Sequence, residues 1–389
     1  MQKNINVVQE LLKKTNEAKK SLPPLRILIT GKTGVGKSTL INAVFGEELA
    51  TTGVGKPVTS HLRRYSTKNN LVLFDTKGLE LVGSTLEETD KEISDFLREA
   101  QIQGEPIHMI WYCINSMGHR VEETELKLMT SLSKQVPLLC LLTQSIAGKG
   151  GELKRVIEAY NLPIAGVLEV LAEDYTLGKT TFPAWGLAEL IAFCYSLLPK
   201  GVDLTFLQAQ TDIDLKVKEA RKYVKGYVAT TFGVGFTPIP FADATLLVPT
   251  QLGMLAHLTM LFGVDMDENM LLALLTALGG TTGATHLGRG IVSQVLKMVP
   301  GAGTLMGGLI SGTTAALVTT SLGYSYIAVL ANYTKAQREG QKLEPKALVD
   351  MLKSQLKKNT KALSKDKSFD DGPDKPPLLK RLGHVIKRK

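Results

Sequence analysis

The stretch LRILIT-GKTGVGKS-TLINAVFG, Leu25 to Gly46, joins a short apolar run, a glycine-rich loop and an amphipathic segment in that order. It predicts a strand, a phosphate-binding loop and a helix. A polyphosphate carries several negative charges, and a ring of backbone N–H groups at a helix N-terminus holds them well. Gly31, Gly34 and Gly36 let the backbone curl that closely. All four specified positions of G-x-x-x-x-G-K-[ST] are met, which makes Gly31, Lys32, Thr33, Gly34, Val35, Gly36, Lys37 and Ser38, with Thr39 after them, candidate phosphate ligands. Lys37 adds a point charge for the β- and γ-phosphates, and the Ser38 hydroxyl is a candidate ligand for Mg2+.

Downstream, Leu40, Ile41, Val44 and Phe45 give the helix a buried face, and Gly46 is placed to stop it. The glycine-rich segment LATTGVGKPVTSHLRRYST contains Thr59, a candidate second hydroxyl ligand for the same Mg2+. LVLFDTKG then reads as a strand that ends in Asp75, a candidate Mg2+ holder through water, and in Gly78, whose N–H would sense the γ-phosphate. Lys37, Thr59 and Gly78 are the candidate catalytic set, and Ser38, Thr59 and Asp75 the candidate metal set. Ser84-x-x-Glu87 reads as a capping box ahead of a helix. IHMIWYCIN (107–115) and VPLLCLLT (136–143) read as strands buried on both faces. A strand near 165–171 and a helix over 186–198 complete an alternating pattern. The fold class expected for 25–200 is therefore α/β, a parallel sheet with helices on both faces and a ligand at the strands' C-terminal ends.

A chain of 389 residues calls for two domains plus extensions. Residues 1–24 read as an amphipathic helix with Ile5, Val8, Leu11 and Leu12 on one face, stopped by Pro23 and Pro24 and docking elsewhere on the same chain. Residues 203–335 read as an all-α, apolar domain that opens with a charged helix over 203–225. The run Met298 to Thr334 holds no charge, so two readings stay open: a compact helical domain packed through small residues, or membrane-inserting helices. Prolines at Pro238, Pro240 and Pro249 break the stretch. Residues 336–389 read as a basic, mostly solvated tail with one short helix after Pro345. Residues 335–389 hold 16 Lys/Arg against 7 Asp/Glu, leaving 30 of each sign elsewhere, so the net charge of +9 sits in the tail. A neutral body argues against a general nucleic-acid surface and directs any acidic partner or membrane surface to the helical domain and tail. Cys113, Cys140 and Cys194 lie in apolar runs without metal or pairing spacing, as expected of packed, reduced thiols in the cytoplasm. The N-terminus shows no signal-peptide core, so a cytoplasmic protein, peripheral or integral at the inner face of the membrane, is expected.

GKTGVGKSTLINAVFG, DTKG and WYCIN with its downstream acidic segment VEETELKL together resemble the Era/TrmE-like and septin-like P-loop GTPases, and also the immunity-related and dynamin-like ones. TPIPFADATLLVPTQLGMLAHLTMLFGV (237–264) resembles a bacterial helical domain of uncharacterised function attached to Era-like GTPases. The resemblance implies GTP and GDP as ligands, Mg2+ as cofactor and GTP hydrolysis. It also implies a base site beyond LLCLLT, where Thr143 and Gln144 wall the guanine and the Ala172 backbone contacts its oxygen. Two departures stand out. Where the resemblance calls for N-K-x-D the chain reads Thr143-Gln144-Ser145-Ile146, and no acidic residue occurs before Glu152. Leu79 follows Gly78 and cannot orient water, and Gly34 stands where potassium-stimulated relatives carry asparagine. Slow intrinsic hydrolysis is expected, with a partner or a second copy, paired through the GTPase domain, supplying the missing group. Arg63, Arg64 and Arg120 are candidates for it, with surface salt bridges as the alternative. A scaffold or membrane tether with negligible turnover is the rival function.

Overall fold

The computed structural model describes residues 7–46, 56–57, 62–67, 69–76, 86–146, 151–234, 244–279 and 312–365. The chain forms two compact units, one of Leu22–Asp212 and one that combines Met1–Ser21 with Ile213–Lys389.

The first unit is built on a seven-stranded sheet: β1 (Leu25–Thr30), β2 (Lys56–Pro57), β3 (Leu62–Ser66), β4 (Leu71–Thr76), β5 (Met109–Asn115), β6 (Leu138–Thr143) and β7 (Gly166–Glu169), in the spatial order β2-β3-β4-β1-β5-β6-β7. The strands β4, β1, β5, β6 and β7 are mutually parallel. The all-parallel expectation fails at one edge, where β3 runs antiparallel to β4 and β2 to β3. Chain length explains it, since residues 67–70 are too few for a parallel crossover and Asn70 turns the chain at φ 56°. Alternate side chains of the central strands feed opposite faces. Leu28, Phe74, Ile110, Tyr112 and Leu142 meet Ile93 and Leu97 of α3 (Leu86–Ile102) and Met129 and Leu132 of α4 (Glu123–Ser133). On the other face Trp111 stacks on Phe45 of α2 (Lys37–Phe45) at 5.9 Å, and Phe45 meets Phe206 edge-on at 6.1 Å. The unit continues with α5 (Glu152–Ala159), a small hairpin of β8 (Tyr175–Leu177) and β9 (Thr180–Phe182), α6 (Leu187–Leu197) and α7 (Val202–Ala209).

The helix expected over 203–225 is two helices. It breaks at Gln210, whose backbone is extended at ψ 166° and whose side-chain amide donates to the carbonyls of Leu207 and Asp212, both at 3.3 Å. Thr211 then ties its N–H to Val44 O at 2.9 Å and its hydroxyl to Ala43 O at 2.9 Å.

The second unit contains the N-terminal helix α1 (Val7–Ser21), with α8 (Ile213–Val234), α9 (Ala244–Phe262), α10 (Glu268–Gly279), α11 (Gly312–Arg338) and α12 (Pro345–Ser364). Val8 and Leu11 of α1 are buried, Gln9 donates to Glu268 at 2.8 Å, and Lys19 pairs with Asp265. Ile5 lies outside the described residues. α9 runs through Pro249, where the sequence reading placed a break; the missing N–H falls near the helix start, where it removes a single intrahelical bond. The helix expected after Pro345 is present as α12 and is 20 residues long. Its Leu348, Leu352 and Leu356 recur every fourth residue and are buried. Residues 366–389 lie outside the described residues, as do Pro238 and Pro240. Among the described residues no helix is long and apolar enough to cross a membrane.

Candidate functional site

The loop after β1 is shaped by backbone that only glycine tolerates. Gly31 has φ +135°, and a Cβ there would lie 2.2 Å from the Cys113 carbonyl oxygen, so the loop can lie against β5 only without a side chain. Gly36, at φ 93°, turns the chain into α2, whose first residue is Lys37. Lys37 is buried, and its ammonium arches back to donate to Gly31 O at 2.8 Å and Lys32 O at 3.1 Å. That places its charge over the loop. Val35 is buried, Thr39 is half-buried, and Thr33, Gly34 and Ser38 face outward. Lys32 pairs with Glu122 at 2.7 Å and Glu125 at 3.6 Å, which ties the loop to the start of α4. The Lys32 contact is also the main reason the Glu122 carboxyl is held below its usual range.

Asp75 sits near the end of β4, in register with Ile29 of β1 and opposite Arg63 of β3. Its Oδ1 is buried with no hydrogen-bond partner among the described residues. Burial pushes its pKa up, while Lys37 and Arg63 pull it back toward ionisation. The next residue, Thr76, donates its hydroxyl to Thr30 at 3.0 Å and so binds β4 to the strand that enters the loop. An unpaired acid oxygen together with the Ser38 hydroxyl is a hard-oxygen donor set, and it fits Mg2+. Thr59, Gly78 and Leu79 lie outside the described residues.

The other side of the loop is bordered by the end of β6. Thr143 donates its hydroxyl to Val35 O, and Ile114 O lies 3.1 Å from the same hydroxyl. Gln144, at φ 53°, donates its Nε2 to Gly34 O at 3.2 Å and accepts Asn115 Nδ2 at 3.2 Å. Two loop carbonyls are thus braced from β6. Beyond them, Ser145 is fixed on three sides: its N–H to Val170 O at 3.2 Å, its hydroxyl to Glu169 Oε1 at 3.4 Å, and its carbonyl to Trp185 Nε1 at 2.8 Å. The same Glu169 oxygen accepts the Gly151 N–H at 3.1 Å. Ala172 follows Leu171, which pairs with Trp185, and is half-buried beside this network.

Of the three arginine candidates, Arg64 pairs with Glu105 at 3.6 Å and lies over the Phe74 ring at 5.8 Å. Arg63 faces Asp75, and Arg120 lends its charge to Glu122. Sequence reasoning missed Asn115, Glu122, Glu125, Glu169 and Trp185. A signal existed for two of them, since Asn115 and Glu169 are the polar residues that end otherwise apolar strands.

Residues 26–144 match the family described as 50S ribosome-binding GTPase, and residues 208–359 match a domain of unknown function, DUF697. The chain is 23% identical over 166 residues to Neuronal-specific septin-3 of Danio rerio, covering 36% of this chain and 45% of the relative. It is 23% identical over 108 residues to Magnetosome membrane protein 22 of Magnetospirillum gryphiswaldense, covering 28% and 55%. A shorter match, 38% identical over 63 residues, covers 14% of this chain and 20% of the Small ribosomal subunit biogenesis GTPase RsgA of Neisseria gonorrhoeae. The chain thus spans about half the length of the first two relatives. Among solved structures, a probable GTP-binding protein engB aligns with a TM-score of 0.32 at 14% identity, over 44% of this chain and 97% of that one. Toc33 from Arabidopsis thaliana, in complex with Mg2+ and GMPPNP, aligns with a TM-score of 0.31 at 18% identity, over 54% and 96%.

Proposed function

We propose that this chain, a P-loop GTPase joined to a DUF697 domain, binds GTP and GDP with Mg2+ at Gly31–Ser38, hydrolyses GTP slowly by itself, and uses the γ-phosphate to bias its helical unit. The observation that carries this reading is the pair across the loop: the Lys37 ammonium over the phosphate cradle and, on the neighbouring strand, a buried Asp75 oxygen without a partner among the described residues. An unmatched acid oxygen in a protein interior is costly unless something cationic completes it. Ser38, Thr59 and Asp75 are assigned to hold Mg2+, Lys37 to hold the β- and γ-phosphates, and the Gly78 N–H to touch the γ-phosphate. A bound Mg2+ would supply positive charge to offset that of the phosphates. Thr143, Gln144 and Ala172 are assigned to the base. Leu79 has no group to orient water, so efficient turnover needs a partner or a second copy meeting this one through the GTPase unit.

The test is steady-state GTP hydrolysis with and without Mg2+, for wild type and Lys37→Ala, with ATP as competitor. Expected are Mg2+-dependent turnover and a loss of roughly 100-fold or more in Lys37→Ala. Turnover that ignores Lys37, or ATP used as well as GTP, would sink the assignment.

A second reading, a nucleotide-controlled membrane tether with negligible turnover, draws on the likeness to Magnetosome membrane protein 22 and on the basic C-terminal sequence. Flotation on anionic vesicles with GTP and with GDP separates the two. Nucleotide-dependent flotation without measurable hydrolysis favours the tether.

A further inference from the structure

We infer that Lys32 is a positioning residue for GTP turnover: the glutamates that open α4 grip its ammonium, and its own carbonyl then fixes the ammonium of Lys37. This role rests on the phosphate-loop reading and goes beyond it by giving Glu122 and Glu125, which lie outside the loop, a part in turnover.

The contacts start at α4. Glu122 is its N-cap and Glu125 its third residue. Glu125 is 5% exposed, and its Oε2 accepts the Glu122 N–H at 3.0 Å, so the start of the helix holds that carboxylate in one place. A carboxylate in a first turn also faces the positive end of the helix, which favours its ionised form. Lys32 Nζ lies 2.7 Å from Glu122 Oε1 and 3.6 Å from Glu125 Oε2. The far end of a long, flexible side chain is thereby anchored on two acids that a helix terminus has already placed.

At its near end the same residue carries the carbonyl that accepts Lys37 Nζ at 3.1 Å. The other acceptor for that ammonium is Gly31 O at 2.8 Å. Gly31 is fixed by its close approach to the Cys113 carbonyl of β5. Lys32 is only half-buried, and Thr33 and Gly34 after it face outward, so the pair at its tip sets the direction of its carbonyl. One support of Lys37 thus comes from β5 and the other, through Lys32, from α4.

The rival role for Lys32 is a further charge for the phosphates. Local charge argues against it, because Lys32 and Arg120 are balanced by Glu122 and Glu125 and leave nothing net to attract an anion. What the group supplies is placement, and a misplaced catalytic ammonium harms the transition state more than the bound ground state.

The two roles differ in sign at Glu122, which decides the experiment. Steady-state GTP hydrolysis of the full chain with Mg2+ is compared for wild type, Lys32→Met, Lys32→Arg, Glu122→Gln and the double variant Lys32→Met/Glu122→Gln. Methionine keeps the length of the side chain, and glutamine keeps an oxygen acceptor while losing the charge. Expected in Lys32→Met is a kcat lower by about tenfold or more with KM within about twofold of wild type. Glu122→Gln should lower kcat in the same direction by less, since Glu125 remains, and the double variant should be no slower than Lys32→Met alone. Lys32→Arg, which keeps the ion pair, should recover most of the loss. A raised KM with unchanged kcat in Lys32→Met would make the lysine a plain phosphate contact and overturn the inference. So would a lowered KM with unchanged kcat in Glu122→Gln, the result expected if the glutamate withholds a charge from the phosphates, and so would losses that add in the double variant. Should Lys32→Met fail to fold, the sign of the Glu122→Gln effect decides alone. A wild type that binds GDP but does not hydrolyse GTP would overturn the inference and leave the loop reading standing, whereas one that binds neither nucleotide would sink that reading itself.

Discussion

In the sheet unit a group of buried polar side chains gathers at the C-terminal ends of the strands, whereas in the helical unit the buried polar side chains are spread along the helices and several are paired across them. Lys37, Asp75, Thr143, Ser145 and Glu169 all stand at or just beyond strand C-termini or at the loop that follows β1. In the helical unit Thr259 meets Tyr326 at 2.7 Å, Asn359 meets Ser325 at 3.0 Å, and Lys216 donates to Phe262 O at 2.9 Å, each joining two different helices. Other hydroxyls turn inward on their own helix, as Thr320 does to Ala316 O and Thr334 to Leu330 O. One arrangement gathers charge around the loop after β1; the other holds helices in register. Changes in the helical unit should therefore act on stability first, and changes near the loop on binding as well.

One substitution made in both units tests that division most directly. At Gly31 an added Cβ meets backbone, the Cys113 carbonyl, at 2.2 Å and with φ +135°. Neither obstacle can move cheaply, so Gly31→Ala should cost more than about 3 kcal/mol in chemical denaturation and remove nucleotide binding. At Gly323 of α11 the added Cβ meets the Val224 methyls at 2.6 and 2.7 Å and the Met254 sulfur at 3.2 Å. Side chains can shift, so Gly323→Ala should cost about 1–3 kcal/mol and leave nucleotide affinity as it was. A Gly323→Ala protein that unfolds normally but no longer binds nucleotide would break the comparison. Tyr326→Phe comes lower still. It removes one inter-helix bond, yet Thr259 keeps its bond to Leu255 O at 2.8 Å, so a loss of about 1 kcal/mol is expected in the same denaturation experiment.

The residues themselves explain which parts could be read in advance. Leu25–Gly46 forms strand, loop and helix as expected because apolar run, glycine positions and amphipathic spacing all agree locally. Strand direction at β3 was not readable from apolar pattern, because alternation says which face is buried and nothing about the neighbour's orientation; the short turn at 67–70 held that information. The break at Gln210 depends on Thr211 bonding to residues 43 and 44, a contact about 170 positions away that no local window contains. In the site, Lys37 and Asp75 belong to short motifs and were nameable. Glu169, Asn115 and Trp185 act through contacts with residues 18 to 40 positions away in the chain, so their types alone carried no role.

The smallest effect concerns pH and again contrasts the units through one residue type. His257 of α9 lies against Tyr227, whose hydroxyl meets its Nδ1, and against the Tyr223 ring; Lys14 of α1 adds positive charge. Burial first and Lys14 second hold its pKa below 6.5, so the folded helical unit disfavours the charged imidazole. The unfolded chain takes up a proton near pH 6.5, and the folded one only at lower pH. Between these two values the unfolded state binds more protons, so stability falls as pH drops below 6.5 and is unaffected above it. His108 in the sheet unit is shifted the same way, by burial and then Arg26, while its Nδ1 accepts the Arg26 N–H at 3.0 Å. The slope of wild type should thus contain one contribution from each unit. His257→Gln should remove only one of them, flattening the fall in denaturation midpoint between pH 6.5 and pH 5 without changing GDP affinity at neutral pH. An unchanged slope in His257→Gln, or a GDP affinity that follows it, would show that the two units do not divide stability and binding as their polar groups are divided.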